Sequence, residues 1–400
     1  MQTFTGKEYL KIDVASSFGL DKADWNDRIT WFDQNENQLE TMVSQADEPA
    51  LFYAGLKAYR DVQAGNPTGY MVRLDATSSG LQILACLTGD RSAAELCNVT
   101  DTGHRRNAYK LVHDYMVQAS GQGANIDLDD LKQAIMTSLY GSMAEPKRVF
   151  GEGRTLDLFY ASMQDLAPGA WELNTAMRTI WNPDALSHDW IMPDNFSVHT
   201  KVMDTVKETV HVEGMPFEVS YKVNQPMEDG RSLCANMTHS IDSLIVREVT
   251  RRCDYDPIQV DYLKEVIEQP ELFNNVTSSA GDHLVTALWD HYKESGYLSA
   301  RILDHLNVNN LGHVDRAVIR EMLQNLPERP FKVVSVHDCF CALPHYCNDL
   351  RKQYNTQLAL IARSNLLECL ISQIIGSPVQ IDKLDRTLHI DIAQANYALS

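Results

Sequence analysis

Two short segments, one around residue 75 and one around residue 338, constrain this chain more than any other feature. They are Leu74-Asp75-Ala76-Thr77-Ser78-Ser79-Gly80-Leu81-Gln82 and Val333-Val334-Ser335-Val336-His337-Asp338-Cys339-Phe340. Each reads as a buried apolar strand that stops abruptly at one aspartate. A carboxylate at the tip of a buried strand needs a cation beside it, because an unpaired buried charge is costly. Two such tips brought together would hold divalent metal ions through hard oxygen ligands, which is how a two-metal phosphoryl-transfer site is built.

The 400 residues exceed the usual limit of one apolar core, so about two or three subdomains are expected. A hydrophobic share of 44% with 22% charged residues is ordinary for a globular chain. No apolar run reaches the roughly 18 residues that a membrane span requires. The opening Met1-Gln2-Thr3-Phe4-Thr5-Gly6-Lys7 lacks a basic region followed by an apolar core, so a cytoplasmic location is expected. The eight cysteines are scattered among apolar neighbours and read as reduced thiols.

The charge points the other way from the aspartate tips. With 54 carboxylates against 35 basic residues the net charge is −19, whereas a protein that grips nucleic acid alone usually presents a basic surface. Either the chain binds no nucleic acid, or it holds it in a local basic groove with help from a partner. Composition alone favours the first alternative, and the motifs have to overturn it.

No repeat, low-complexity tract or long linker interrupts the chain. Residues 1–70 mix helical patterns with Lys-Ile-Asp-Val near residue 11. Met71–Leu74 is expected as a strand and Gly80–Thr88 as a buried helix. Asn107–Ala119 and Asp127–Tyr140 carry apolar residues at helical spacing, the latter with three aspartates crowding its first turn and Gly141 closing it. From Phe196 to Val223 alternating residues around Glu213-Gly214 predict a hairpin. Asn236–Val249 is helical, residues 251–330 are polar and mostly helical, and a helix from about His345 to Arg363 follows the hairpin around His337-Asp338. This irregular order predicts an α+β fold, mostly helical. Neither of the glycine-rich nucleotide-binding fingerprints occurs.

On the strong helix Lys132 and Tyr140 lie eight positions apart, an advance of roughly 12 Å, so both can project into one groove. Taken alone, such a pair is more often a solvated lysine and a core aromatic. Together with the tips, however, Asp75-x-x-x-Ser79-Gly80-Leu81-Gln82, Lys132-x-x-x-Met136-Thr137-x-x-Tyr140-Gly141 and His337-Asp338 resemble motifs A, B and C of the single-subunit DNA-dependent RNA polymerases of phages and mitochondria. Further similarities occur in the family's order. Leu20-Asp21-Lys22 with Arg28-Ile29 resembles an upstream substrate-binding segment, and Tyr109 stands at the spacing from Asp75 of a family tyrosine beside the active site. Trp190-x-x-Pro193-Asp194-x-Phe196 resembles the start of the promoter-specificity hairpin. Asn236-x-x-His239-Ser240-x-Asp242 resembles a segment facing the primer–template end, and the last ten residues resemble the C-terminal foot.

The resemblance implies a right-hand polymerase with a small antiparallel palm sheet. Residues 1–120 would form the first part of the palm and 121–235 the fingers, with a specificity hairpin at 196–223. Residues 236–250 would supply a palm helix, 251–330 a helical insertion, and 331–400 the second part of the palm with the foot. Asp75, Ala76 through its carbonyl, and Asp338 would hold two Mg²⁺ ions. Lys132 and Lys22 would neutralise the triphosphate, with Asp21 alongside. Tyr140 with Gly141 would admit a ribose and disfavour a deoxyribose. Tyr109 would line the substrate site, His239 would contact the newest base pair, and His337 would position the metal aspartate or the primer end. The implied partners are DNA template, RNA transcript and ribonucleoside triphosphates.

The chain also departs from the family pattern. Leu128 stands where the family has an arginine one turn before the motif B lysine, Ile83 where some members have histidine, and the interval from His239 to His337 is long. No D-x-x-G-R occurs, and only about twenty residues precede Lys22. These departures resemble the catalytic part of a phage polymerase split into two polypeptides. Such an enzyme would work in the host cytoplasm, with thumb and N-terminal domain on a second polymerase polypeptide and a single-stranded-DNA-binding accessory protein at hand. The hairpin's few basic residues, Lys201, Lys207 and Lys222, argue against unaided reading of duplex DNA.

Three alternatives are weaker. His337, Cys339, Cys341, His345 and Cys347 lack the paired spacing of a zinc site and read as packed hairpin cysteines. A family-A-like DNA polymerase shares the His-Asp hairpin, but Ala-Thr-Ser-Ser-Gly after Asp75 is not the signature that selects deoxynucleotides. A non-catalytic polymerase-derived scaffold has no reason to keep both aspartates, Lys132 and Tyr140.

Overall fold

The computed structural model describes residues 1–121, 126–228, 230, 232–274 and 282–400. At its centre is a three-stranded antiparallel sheet of β1 (Val72–Asp75), β7 (Cys339–Ala342) and β6 (Val334–Val336), in the order β1-β7-β6. Alternation decides which face is buried: Val72 and Leu74 of β1 and Phe340 and Ala342 of β7 point into the main core. That face belongs to the main core, which also holds a helix buried along its whole length. Every residue of Ser79–Thr88 is buried, and this helix packs against Ser232–Cys253 and Cys347–Arg363. Phe340 meets Tyr354 edge-on, with ring centroids 5.5 Å apart.

One expectation fails here. The second aspartate-tipped strand is not buried: Val334 is 50% and Val336 60% exposed. β6 is the sheet's outer strand, bonded to β7 on one side, and nothing among the described residues covers its valines. Only β7 behaves as a core strand. The first strand is also tied from below. Asp13, on the helix Gly6–Ala15 that contains the Lys-Ile-Asp-Val stretch, is fully buried and accepts from the Tyr70 hydroxyl and the Arg73 backbone N–H. Burial pushes the Asp13 carboxyl up, against the pull of Arg73.

The β-rich run near residue 200 contains two hairpins. Its first part, β3 (Ser197–Lys201), pairs backward with β2 (Ser187–Ile191), and only β4 (Met203–Val212) and β5 (Met215–Asn224) close over the expected Glu213-Gly214 turn. Both turn residues have positive φ, 49° and 81°, the backbone a tight two-residue hairpin requires. The β2 strand escapes a reading by alternation because Ser187-His188-Asp189 is polar. The helices expected at 107–119, 127–140 and 236–249 appear as Ala108–Ser120, Leu128–Leu139 and Ser232–Cys253.

Residues Val260 to Leu326 build a second, separate apolar core around Leu263, Val285, Leu288, Ile302 and Leu311. It is joined to the long helix Ser232–Cys253 by buried charges. Glu248 accepts from Ser299 Oγ and Ala300 N, and Asp194 accepts from Arg247 at 2.6 Å and from Arg251 at 2.9 Å. Arg301 closes the link by donating to the Asp194 carbonyl at 2.9 Å. Burial alone would raise the Asp194 carboxyl, yet the two guanidinium groups hold it below its ordinary value.

No single helix among the described residues is long and apolar enough to cross a membrane. The bent pair Pro344–Arg363 and Leu366–Ile375 passes only jointly, and its apolar residues, Leu358, Leu366 and Leu370 among them, lie in the core.

The Asp194 cluster generates a stability prediction. Asp194→Ala strands two partly buried arginines, so chemical denaturation should show a loss of about 3–5 kcal/mol. A loss below about 1 kcal/mol would mean that the cluster is solvated and does not join the two cores.

Candidate active site

The β1–β7 pairing brings the two aspartate tips together. Asp75 stands opposite Cys339 in the register, and the Ala76 N–H donates to the Asp338 carbonyl at 3.1 Å. The chain's last residues clasp the other side of β1. Ala76 bridges Leu399, Thr77 N–H donates to the Ala398 carbonyl at 3.2 Å, and Ser400 N–H donates to the Asp75 carbonyl at 2.9 Å. Gln82 bolts this junction from within. Its amide donates to Thr77 Oγ1, the Cys97 carbonyl and the Ala398 carbonyl, and its oxygen accepts from Tyr354 at 2.7 Å.

Beside the tips opens a cleft of about 310 Å³, lined by residues from five separate stretches of the chain. Ala76 to Gly80 form its floor, Tyr109 and Tyr140 one side, His239 and Asp242 another, and His337 and Asp338 the rim. Tyr140, at the end of the helix Leu128–Leu139, packs against His239 with ring centroids 4.8 Å apart. Gly80 makes this approach feasible, since a Cβ there would lie 3.1 Å from the Tyr140 hydroxyl. Gly141, at φ 89°, turns the chain away immediately after the tyrosine. Burial raises both phenols, while the hydroxyls of Ser79 and Ser78 bond Tyr140 and Tyr109 respectively and partly offset it.

Neither Asp75 nor Asp338 has an ion-pair partner among the described residues, although the Cys339 thiol is hydrogen-bonded to Asp75. The Ala76 carbonyl likewise accepts no hydrogen bond there. Two unpaired carboxylates and a free carbonyl fit Mg²⁺, which keeps several waters and takes further oxygens from substrate phosphates. No group of three or more His, Cys, Asp or Glu that could hold a metal occurs among the described residues.

The other expected residues are placed as follows. Lys132 is exposed and does not line the cleft. Its ammonium lies 5.7 Å from the centre of the Tyr109 ring, so it reaches the site's edge through that tyrosine. Asp21 and Lys22 pair with each other on an exposed turn outside the cleft. Beneath them Arg28 is fully buried and donates to Ser16 Oγ and to the Asp21 and Ala23 carbonyls; burial lowers its pKa to about 9. Arg28 therefore shapes the turn rather than meeting substrate. His337 occupies the first position of the β6–β7 turn with φ 56°, a left-handed backbone that is uncommon for a residue with a side chain. Leu128 is 40% exposed in the first turn of its helix.

Two residues in or near the site had no role assigned from sequence, Asp242 and Arg105. Asp242 follows His239 by three positions on one helix, and that spacing places both on one face, so the signal was present. Its carboxyl is pushed up to about 6, first by burial and then by Asp338.

The Asp242 shift has a definite sign. Because the folded value lies above the roughly 4 of a free aspartate, the folded state binds more protons between those values, and stability falls as pH rises through them. In metal-free buffer, Asp242→Asn should melt above wild type at pH 7–8, with the gap closing as pH drops from about 6 to 4. A gap independent of pH would show that Asp242 ionises as it does in water.

Comparison with known proteins finds a family match over the first part of the chain. Residues 3–148 match the model of the DNA-dependent RNA polymerase family, a stretch that includes Asp75, Tyr109, Lys132, Tyr140 and Gly141. A probable DNA-directed RNA polymerase of Neurospora crassa is 29% identical over 159 residues, covering 34% of this chain and 18% of the relative. The DNA-directed RNA polymerase of Pseudomonas phage phiKMV is 33% identical over 114 residues, covering 24% and 14%. The mitochondrial DNA-directed RNA polymerase of Schizosaccharomyces pombe is 23% identical over 258 residues, covering 56% and 22%. The chain thus spans less than a quarter of the length of these relatives. Over residues 3–148 the chain is similar to the DNA-dependent RNA polymerase family, with relatives among phage and mitochondrial enzymes.

Proposed function

We propose that this chain carries the catalytic centre for DNA-templated RNA synthesis, and that nucleotidyl transfer takes place in the cleft beside Asp75 and Asp338. The supporting observation is a convergence. Residues 76–80, Tyr109, Tyr140, His239, Asp242, His337 and Asp338, scattered over most of the sequence, line one cavity. A scaffold without catalytic duty has no physical reason to gather unpaired carboxylates at a solvent-open cleft.

Asp75, the Ala76 carbonyl and Asp338 would hold two Mg²⁺ ions. When bound, these supply Lewis-acid chemistry at the 3′-hydroxyl and at the leaving pyrophosphate. The protein's own groups then position the reactants. Tyr140 presents its hydroxyl at the cleft with Gly141 behind it, so a ribose 2′-hydroxyl finds a polar partner that a deoxyribose leaves unpaired. The Tyr140 and His239 rings, in tilted contact, would offer an aromatic wall for the newest base pair. Lys132 would neutralise the triphosphate as its charge grows, with the Tyr109 ring beneath its ammonium lining the substrate site, and Lys22 with Asp21 would approach from their own turn. His337, held in its left-handed turn, would fix the direction of the Asp338 carboxylate.

In this reading the sheet with residues 1–120, 236–250 and 331–400 is a palm, and 121–235 are fingers carrying the paired hairpins. Residues 251–330 are an insertion with its own core. The DNA template, the RNA product and ribonucleoside triphosphates are the ligands. The uncovered valines of β6, the exposed apolar residues of the β4–β5 ribbon (Val210, Met215, Phe217, Val219 and Tyr221) and the −19 charge favour a heteromer. Its second polymerase polypeptide would bring basic residues to the nucleic-acid channel, with a single-stranded-DNA-binding protein delivering template.

The test is template-directed incorporation of rNTPs and dNTPs on primed DNA, using the protein with whatever co-purifies. Wild type should add ribonucleotides in preference, and Asp338→Asn should lose at least about a hundredfold while its melting temperature holds. Full activity in Asp338→Asn would sink the site assignment. Preferential use of dNTPs would instead favour a DNA polymerase.

A further inference from the structure

Arg105 is a cation near the site whose binding capacity is largely unspent. It sits on the loop that leads into the helix Ala108–Ser120, and Asp24 clamps that loop. The Arg105 backbone N–H donates to Asp24 Oδ1 at 2.6 Å, and His104 Nδ1 lies 2.6 Å from Asp24 Oδ2. The clamp places Arg105 beside the turn that holds Asp21 and Lys22. On its other side Arg105 Nε donates to Ser400 Oγ at 3.1 Å, and Ser400 N–H donates in turn to the Asp75 carbonyl at 2.9 Å. The guanidinium is thus anchored at one nitrogen, between the Lys22 turn and the catalytic strand.

Its two terminal nitrogens have no hydrogen-bond or ion-pair partner among the described residues. Yet Asp21, Asp24 and Asp75 all act on it electrostatically, and burial lowers its pKa below the ordinary arginine value. A largely covered arginine normally commits its fork to a carboxylate. The other cations named so far are held differently: Lys22 pairs with Asp21, Arg28 donates to three backbone and hydroxyl oxygens, and Lys132 lies over the Tyr109 ring, while Arg106, the next residue, donates through Nε to Thr102 Oγ1. At Leu128, one turn before Lys132, the helix offers an exposed apolar side chain. An anionic ligand that reaches Asp75 would meet the Arg105 fork, which Ser400 ties to that same strand.

We propose that Arg105 binds the triphosphate of the incoming ribonucleotide, its two terminal nitrogens taking the phosphates that depart as pyrophosphate. The inference rests on the polymerase reading above. A fork-shaped donor pair matches phosphate oxygens in a way that a point charge does not, so lysine replaces it poorly. The anchor through Ser400 also gives the chain's last residues a function at the site: they hold β1 and orient this guanidinium together.

The experiment compares wild type, Arg105→Gln and Arg105→Lys in the assembly that incorporates ribonucleotides. Both substitutions should raise KM for rNTPs by about tenfold or more, the worth of one charge-assisted hydrogen bond, with a smaller change in kcat. The inhibition constant of magnesium tripolyphosphate should rise in parallel, while primer–template affinity and melting temperature stay at wild-type values. Unchanged KM and inhibition constant in either folded variant would overturn the inference. So would a loss confined to primer–template affinity. Should Arg105→Gln melt early, Arg105→Lys, which keeps charge and bulk, decides alone. If wild type incorporates no nucleotide at all, the polymerase reading fails by itself. Calorimetric titration of magnesium tripolyphosphate into wild type and Arg105→Gln then still decides for Arg105: about tenfold weaker binding supports the site, equal binding overturns it.

Discussion

The antiparallel contact between β1 and β7 is the interaction on which the rest of the site depends. One backbone hydrogen bond, from Ala76 N–H to the Asp338 carbonyl, fixes the register that sets both carboxylates at one end of the sheet. A slip of one residue would send every side chain of β1 to the opposite face, burying Asp75 and exposing Leu74. The structure guards against that slip with more than the ladder. The terminal segment Ala398–Ser400 pairs with residues 75–77 from outside, and the buried Gln82 ties the same loop to Cys97, Ala398 and Tyr354. A fully bonded buried amide of this kind adds specificity, because any other register would leave its polar atoms unpaired.

Much of this is legible in the sequence, for identifiable reasons. The strand Val72–Asp75 and the helix Ser79–Thr88 announce themselves by continuous apolar character, and Leu128–Leu139 by its aspartate cap and its spacing. The two aspartates can be paired from sequence alone because a charge at a strand tip calls for a cation. What stays hidden depends on tertiary context. Nothing in Val333–Val336 distinguishes an outer strand from a central one, so the sequence predicts burial for valines that the fold leaves exposed. The polar β2 strand forms because β3 offers it a partner, not because its own alternation demands it.

The cations show the same limit. Lys22, Arg28 and Lys132 are visible as residue types, but the sequence does not say which of them is already spent. Arg28 turns inward and becomes a backbone clamp, Lys22 pairs with its neighbour, and Lys132 leans on Tyr109. Arg105, on a loop without a sequence motif of its own, is anchored to Ser400 through Nε and keeps the terminal nitrogens of its fork without a partner among the described residues. The buried ion pairs do not reduce the net charge of −19, since each carboxylate consumed internally takes a guanidinium with it. Asp13, Asp194 and Glu248 lie buried in ion pairs that hold the cores together. The acidic excess that remains is a surface property, and it bears on partners and solubility rather than on the cleft.

The central claim is that Asp75 and Asp338 hold divalent ions in one shared site. Replacing Mg²⁺ with Fe²⁺ and generating hydroxyl radicals at the bound ion would test it directly, because such radicals cut only the backbone nearest the metal. The account predicts cuts in two places at once, close to residues 75–80 and close to residues 337–339, both suppressed by excess Mg²⁺ and both lost in Asp75→Asn. Cuts at one segment without the other, or cleavage elsewhere that Mg²⁺ suppresses equally well, would contradict it.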